Sequence, residues 1–202
     1  MFVKSPSILK KIFPQLIWSI KTNKKEIYLT FDDGPHPEIT PQVLKILNSF
    51  NVKATFFCVG ENVEKYPDTF ELIINNGHKA GNHSYNHLNG WKTSNANYFN
   101  NIEKADVLIN SNLLRPPYGR IALSQIKPLS KKYSIIMWTV LTYDYDSNVS
   151  KEKCLHNSIN KTKQGSIVVF HDSLKSADNM LYALPLFLKH FLAKGYSFGL
   201  LK

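Results

Sequence analysis

Hydrophobic residues in this chain fall into short unbroken runs and longer periodic stretches that alternate along its length. Ile27-Tyr28-Leu29-Thr30-Phe31 has no polar alternation and predicts a strand covered on both faces, as in a parallel sheet flanked by helices. Gly34-Pro35 ends it. After Thr40-Pro41, the spacing of Val43, Leu44, Ile46, Leu47 and Phe50 predicts a helix with Thr40 as N-cap and Pro41 at the first helical position, ending near Asn51. Ala54 to Val59 predicts a second buried strand closed by Gly60, and Tyr66 to Asn76 a helix stopped by Gly77. His78 to Asn82 reads as a short strand and Asn97 to Asn110 as a helix. Leu113-Leu114 leads into Arg115-Pro116-Pro117-Tyr118-Gly119, whose prolines exclude a helix. A helix over Ala122 to Lys132 and a strand over Ser134 to Val140 follow. Ser150 begins a helix that runs to Lys163 and is broken by Gly165. Ser166 to Phe170 is the next strand, then a helix from Asn179 to Lys194 and a last strand near Tyr196 to Leu200.

Strands and helices thus alternate with short connections and without an internal repeat. That order predicts an α/β fold on a parallel sheet, either closed as a barrel or open and doubly wound. Polar residues able to do chemistry follow Phe31, Gly81, Leu114, Val140 and Phe170. All five positions are C-terminal ends of predicted strands, the face on which barrel enzymes build their sites.

At 202 residues and 43% hydrophobic content, the chain fits one domain with a sizeable core. A formal charge of +10 raises the possibility of a nucleic-acid partner. The lysines are scattered, however, and no long basic run interleaves with aromatics, so a solvated basic surface and no nucleic-acid partner are expected. Cys58 and Cys154 have neither metal nor redox spacing and are expected to be buried thiols. No apolar run approaches the roughly 18 residues of a membrane span. Between Lys4 and Ile20, lysines precede a short apolar run interrupted by Pro14 and Gln15, with no small-residue cleavage site. Residues 1–25 are therefore expected to form a leading segment packed on a domain of residues 26–202, with a weak export signal or a peripheral anchor as the alternative. This favours a cytoplasmic or membrane-peripheral location over export. A monomer is expected.

Within this frame Asp32 and Asp33 stand out. On a regular strand they would face opposite ways, so they share one site only where the backbone turns, which Gly34-Pro35 provides. Taken alone, Asp-Asp-Gly is commonly a pair of solvated turn aspartates. His83 and His87 lie four apart, so on one helical turn their rings would face the same side and hold one cation, with Asp33 as a third ligand. A pair of ordinary surface or core histidines is the plainer reading. Arginine occurs only at Arg115 and Arg120 in a lysine-rich chain. At Arg115 two prolines stiffen the approach, and a fork of donors could hold a carboxylate bidentately, against the plainer reading of a surface or capping arginine.

Five ordered segments carry a resemblance: Thr30-Phe31-Asp32-Asp33-Gly34-Pro35, His83-Ser84-x-x-His87, Arg115-Pro116-Pro117-Tyr118-Gly119, Trp138 to Tyr145, and Val169-Phe170-His171-Asp172. Together they resemble the motifs of the polysaccharide deacetylase family, also called NodB-like or carbohydrate esterase family 4, over about residues 26 to 200. The resemblance implies a distorted (β/α) barrel of the NodB/polysaccharide deacetylase type that removes acetyl groups from an N-acetylated glycan by metal-assisted hydrolysis. It also implies roles. Asp32 is the base, and Asp33, His83 and His87 hold a divalent ion, zinc first and cobalt, nickel or manganese as alternatives. Arg115 orients the base, the Tyr118 N–H serves the oxyanion, and His171 is the general acid tuned by Asp144. Pro116, Trp138 and Tyr145 fall at substrate-lining positions. The chain departs from the family in having Tyr145 where tryptophan is usual and Leu141 where aspartate is frequent, and Asp146 competes with Asp144 as partner of His171. The implied substrate is peptidoglycan or a chitin-like oligosaccharide. A cyclic amide or imide hydrolase of the same family and a non-catalytic carbohydrate-binding relative are the alternatives; loss of Asp32 or of a ligand would have favoured the latter, and all are present.

Overall fold

The structure is a computed structural model that describes residues 3–5 and 7–202. The expected leading segment includes residues 1, 2 and 6, which lie outside the described residues. Among the described residues nine strands form one sheet: β1 (Leu16–Ile17), β2 (Glu26–Asp32), β3 (Thr55–Cys58), β4 (Lys79–Asn82), β5 (Leu113–Leu114), β6 (Ser134–Ile136), β7 (Val140–Leu141), β8 (Ile167–His171) and β9 (Ser197–Phe198). The helices are α1 (Ser7–Ile12), α2 (Ile39–Ser49), α3 (Gly60–Lys65), α4 (Pro67–Asn75), α5 (Asn95–Ile109), α6 (Leu123–Leu129), α7 (Lys151–Asn160) and α8 (Ala177–Ala193). Strand order is β1-β6-β5-β4-β3-β2-β8-β7, with β9 beside β2, and every ladder is parallel.

The order explains the curvature. β6 and β7 lie toward opposite flanks of the sheet, yet only residues 137–139 separate them. Such a linker spans at most about 14 Å, so the sheet must curl. The result is a distorted (β/α) barrel instead of a doubly wound sheet, with no ladder joining its end strands β1 and β7 among the described residues. The predicted single strand over Ser134 to Val140 is thereby corrected to two. At the break, Ile136 and Met137 turn their carbonyls to the Arg115 side chain at 3.3 and 3.1 Å, and Met137 N–H donates to Ile17.

β2, β3 and β8 are buried almost throughout, as unbroken apolar runs require. On one side α8 packs Leu184, Phe187 and Leu188, all fully buried, into the main core, where burial of each side chain contributes about 1.5–3 kcal/mol. Cys58 and Cys154 are free and buried, as expected. Two local readings are corrected. Gly60 does not close a strand but begins α3, because a Cβ there would stand 3.0 Å from Ala105 of α5 and the two helices could not approach. Thr40 is not the cap of α2, which begins at Ile39; its hydroxyl accepts the His36 N–H at 2.8 Å and donates to Asp172 at 2.6 Å.

Candidate active site

Parallel register levels the ends of the strands. Asp32 stands opposite His171 of β8 and Phe57 of β3, Cys58 opposite Asn82 of β4, and Asn82 opposite Leu114 of β5. Asp33, His83 and Arg115 are the next residues along their strands, so they leave the sheet at one rim.

At Asp33 the backbone enters the left-handed region, with φ 77°, and this turn lets neighbouring aspartates serve one site. The Asp33 Oδ1 lies 3.2 Å from His87 Nε2 and 3.7 Å from His83 Nε2, and the three ligand atoms fall within 4.8 Å of one another. His83, 2% exposed, donates Nδ1–H to the Arg115 carbonyl at 2.7 Å, which leaves Nε2 as a lone-pair donor facing Asp33. Burial lowers its pKa to about 4 and keeps the ring neutral. Burial alone would raise the Asp33 carboxyl, but the His87 hydrogen bond and the neighbouring imidazoles of His171, His83 and His87 bring it well below the usual carboxylate range. Two imidazole nitrogens and an ionised carboxylate, with one ring oriented by a carbonyl, fit a divalent cation such as zinc.

The two histidines do not sit on a helix, which corrects that expectation. Ser84 and His87 both take positive φ, 62° and 59°, in a turn built by side-chain amides. Asn82 accepts the Ser84 N–H at 2.8 Å and donates to Ile102 at 2.9 Å, while Asn101 accepts the Tyr85 N–H at 2.8 Å. The rings still meet, with centroids 5.0 Å apart.

Arg115 is fully buried, and each of its three guanidinium nitrogens donates a hydrogen bond. Nη1 donates to Asp32 at 2.6 Å and to Thr30 at 2.8 Å, and Nε and Nη2 take the Ile136 and Met137 carbonyls. The Phe57 ring lies 4.1 Å from the guanidinium carbon. The expected bidentate grip is therefore a single short bond, because the barrel break claims the other two nitrogens. On the other flank Asp144 holds His171 twice: Oδ1 accepts Nδ1–H at 2.7 Å and Oδ2 the backbone N–H at 2.7 Å. Burial lowers the His171 pKa, but the Asp144 charge and hydrogen bond, with Asp33 and Asp32, raise it to about 9. Asp146 instead accepts from Asn148 at 3.0 and 3.2 Å.

The remaining expected residues flank these groups. Tyr118 has φ 60°, its ring lies 4.5 Å from His87, and its backbone N–H has no hydrogen-bond partner among the described residues. Pro116 accepts the Gly119 N–H, and a Cβ on Gly119 would stand 2.6 Å from the Trp138 ring, so Trp138 packs against this turn. Tyr145 meets His171 edge-on at 4.8 Å. Of seven described non-glycine residues with positive φ, five (Asp33, Ser84, His87, Tyr118 and Tyr143) border this rim, so backbone strain is concentrated where side chains must be aimed. Sequence reasoning gave Asp172 no role; it is buried, accepts the Gly34 N–H at 3.2 Å and the Thr40 hydroxyl, and donates its N–H to Asp32. The carboxylate directly after a strand-end histidine was the available signal.

These features define an α/β barrel with a candidate three-ligand metal centre at the C-terminal rim of its strands. The family described as Polysaccharide deacetylase matches residues 19–134, more than half of the chain, and the chain belongs to that family. A peptidoglycan-N-acetylglucosamine deacetylase of Bacillus cereus is 40% identical over 158 residues, covering 75% of this chain and 57% of that protein. A second Bacillus cereus protein of the same description is 31% identical over 188 residues, covering 90% of this chain and 88% of its own. The crystal structure of a peptidoglycan N-acetylglucosamine deacetylase in complex with 4-naphthalen-1-yl-N-oxidanyl-benzamide superimposes with a TM-score of 0.90 at 34% identity, covering 98% of this chain and 95% of that one. The family expected from the five motifs is thus the one to which the chain belongs.

Proposed function

We propose that this chain is a metal-dependent glycan N-deacetylase that hydrolyses the acetamide of an N-acetylated sugar in peptidoglycan or a chitin-like oligosaccharide. The observation that carries this reading is the placement of two buried ion pairs, Asp32 with Arg115 and His171 with Asp144, on the rim that bears Asp33, His83 and His87. Asp33, His83 and His87 would hold the cation, zinc or a similar divalent ion, which when bound polarises the acetyl carbonyl and acidifies water. Asp32 takes a proton from the attacking water as its oxygen bonds to the acetyl carbon, and Arg115 fixes the carboxylate for that transfer. The free Tyr118 N–H receives the developing oxyanion. His171 gives its Nε2 proton to the amide nitrogen as the C–N bond breaks, leaving acetate and a free amine. Tyr145 and Pro116 border the space the sugar would occupy.

The deciding experiment is acetate release from a panel of N-acetylated glycans by the zinc-loaded chain, beside chelator-treated chain and Asp32→Asn. Release by the loaded chain alone is the expected result. Failure on every glycan, or equal release after chelation, would refute the reading.

A further inference from the structure

We propose that Trp91 and Arg120 form a second sugar-binding platform beside the metal centre, taking the glycan residue next to the one deacetylated and, through Arg120, an anionic carboxylate carried on it. This rests on the glycan reading above. Trp91 is 65% exposed, unusual for the residue with the largest apolar face. Its exposure is not slackness. The indole N–H donates to the Ile121 carbonyl at 2.9 Å, and Asn89 accepts the Trp91 backbone N–H at 3.0 Å. Gly90 donates to the Arg120 carbonyl at 3.1 Å, an approach that only glycine permits, since a Cβ there would stand 2.6 Å from that oxygen. Gln125, fully buried, closes the arrangement by donating to the Gly90 carbonyl at 2.9 Å while accepting the Ala122 N–H at 2.8 Å. A flat aromatic face is thus locked toward solvent by bonds that a surface tryptophan does not need.

The two loops so joined are those of the metal centre. Trp91 follows His87 by four residues, which limits their Cα separation to about 14 Å. Arg120 follows by two the Tyr118 whose ring meets His87. The Arg120 guanidinium lies 5.4 Å from the indole centroid and has no carboxylate partner among the described residues. An indole face offers the C–H face of a pyranose a broad contact at little entropic cost. The adjacent guanidinium fork matches a carboxylate and has weak hydration to lose. The pair therefore fits an acidic glycan better than a neutral one.

The test uses the zinc-loaded full chain and three probes: chitopentaose, a peptidoglycan-derived tetrasaccharide whose muramic residues carry lactyl carboxylates, and N-acetylglucosamine alone. Binding is measured by calorimetry and acetate release alongside it. Trp91→Ala should weaken both oligomers about tenfold or more, with the monosaccharide and zinc content unchanged, and Trp91→Phe should recover most of the loss. Arg120→Gln should weaken only the tetrasaccharide and flatten its salt dependence. Oligomer binding indifferent to Trp91→Ala, or an equal loss for the monosaccharide, overturns the platform; equal losses for both oligomers in Arg120→Gln overturn the carboxylate assignment. Trp91-dependent binding without acetate release from any probe would support the platform and refute the deacetylase reading, whereas release indifferent to Trp91 would do the reverse.

Discussion

Asp172 is bonded to Gly34: one carboxylate oxygen accepts the Gly34 N–H at 3.2 Å while the other takes the Thr40 hydroxyl. This carboxylate, 1% exposed, pins the turn that aims Asp33 from the far side of the strand pair β2 and β8. Removing it strands a buried N–H and a buried hydroxyl, at a cost of about 1–3 kcal/mol. It also frees the turn that carries one ligand, and loss of such a support typically lowers metal affinity about 10- to 100-fold. Asp172→Ala should therefore melt earlier in urea and bind zinc more weakly. Gly34→Ala should be worse than neutral too, since its Cβ would fall 2.1 Å from an Asp172 oxygen. Wild-type zinc affinity in both variants would show that Asp33 is aimed by other contacts.

The two histidines should be separable by stability although both hold metal. His83→Ala and His87→Ala are each expected to abolish zinc binding and activity. His83 is buried against the Arg115 carbonyl, so its loss leaves a void and an orphaned acceptor and costs about 1–3 kcal/mol. His87 is only half-buried, and its removal should leave the metal-free melt almost unchanged. Metal analysis beside urea melts of the apo proteins checks this, and zinc retained at full stoichiometry by either variant counts against the ligand set.

Arg115 and Asp32 differ in what their loss exposes. Arg115→Ala removes four hydrogen bonds and leaves the Asp32 carboxylate buried without its partner, a change that costs about 3–5 kcal/mol. Arg115→Lys should recover little, because an ammonium cannot reach Thr30, Asp32 and both carbonyls at once. Asp32→Asn should keep zinc and lose turnover, since Asp32 is not among the three clustered ligands. Loss of zinc in Asp32→Asn equal to that in His83→Ala would make Asp32 a ligand instead of the base.

Much of this was legible in the chain because strand ends carry chemistry: the unbroken run before Asp32 and the run before His171 locate the rim from pattern alone. What escaped depends on contacts between distant segments. The break between β6 and β7 is invisible in Ser134 to Val140, since it arises where Arg115, nineteen residues before Ser134, withdraws two carbonyls from the ladder. The His83 to His87 turn escaped because helical spacing and a left-handed turn both bring residues four apart together. The distinction lay in Asn82 and Asn101, whose amides satisfy the turn's N–H groups. Gly60 signals a stop in sequence and a close helix approach in space; only the position of Ala105 tells which.

The pH dependence should separate Asp144 from Asp146. The groups facing His171 are Asp144, Asp33 and Asp32, with Tyr145 against its ring, and together they raise its pKa to about 9 despite burial. Without metal His171 is then charged at neutral pH and able to give a proton; a cation held by Asp33 would offset part of that field, so kcat/KM of the zinc-loaded chain should fall on the alkaline side, at or below about 9. The same raised value has a stability sign. A group bound more tightly to its proton when folded stabilises fully below the ordinary 6.5, and that contribution is lost as pH rises through about 9. The wild-type melt should therefore decline over this window and His171→Gln should lack that component. In Asp144→Asn, burial acts against a weaker field, so the alkaline limb should move down toward 6.5, with activity at pH 8 restored on acidification. Asp146→Asn should leave the limb in place, because that carboxylate is engaged by Asn148. A limb that moves with Asp146 reassigns the partner, and residual activity with an unmoved limb in His171→Gln would remove His171 from the proton path.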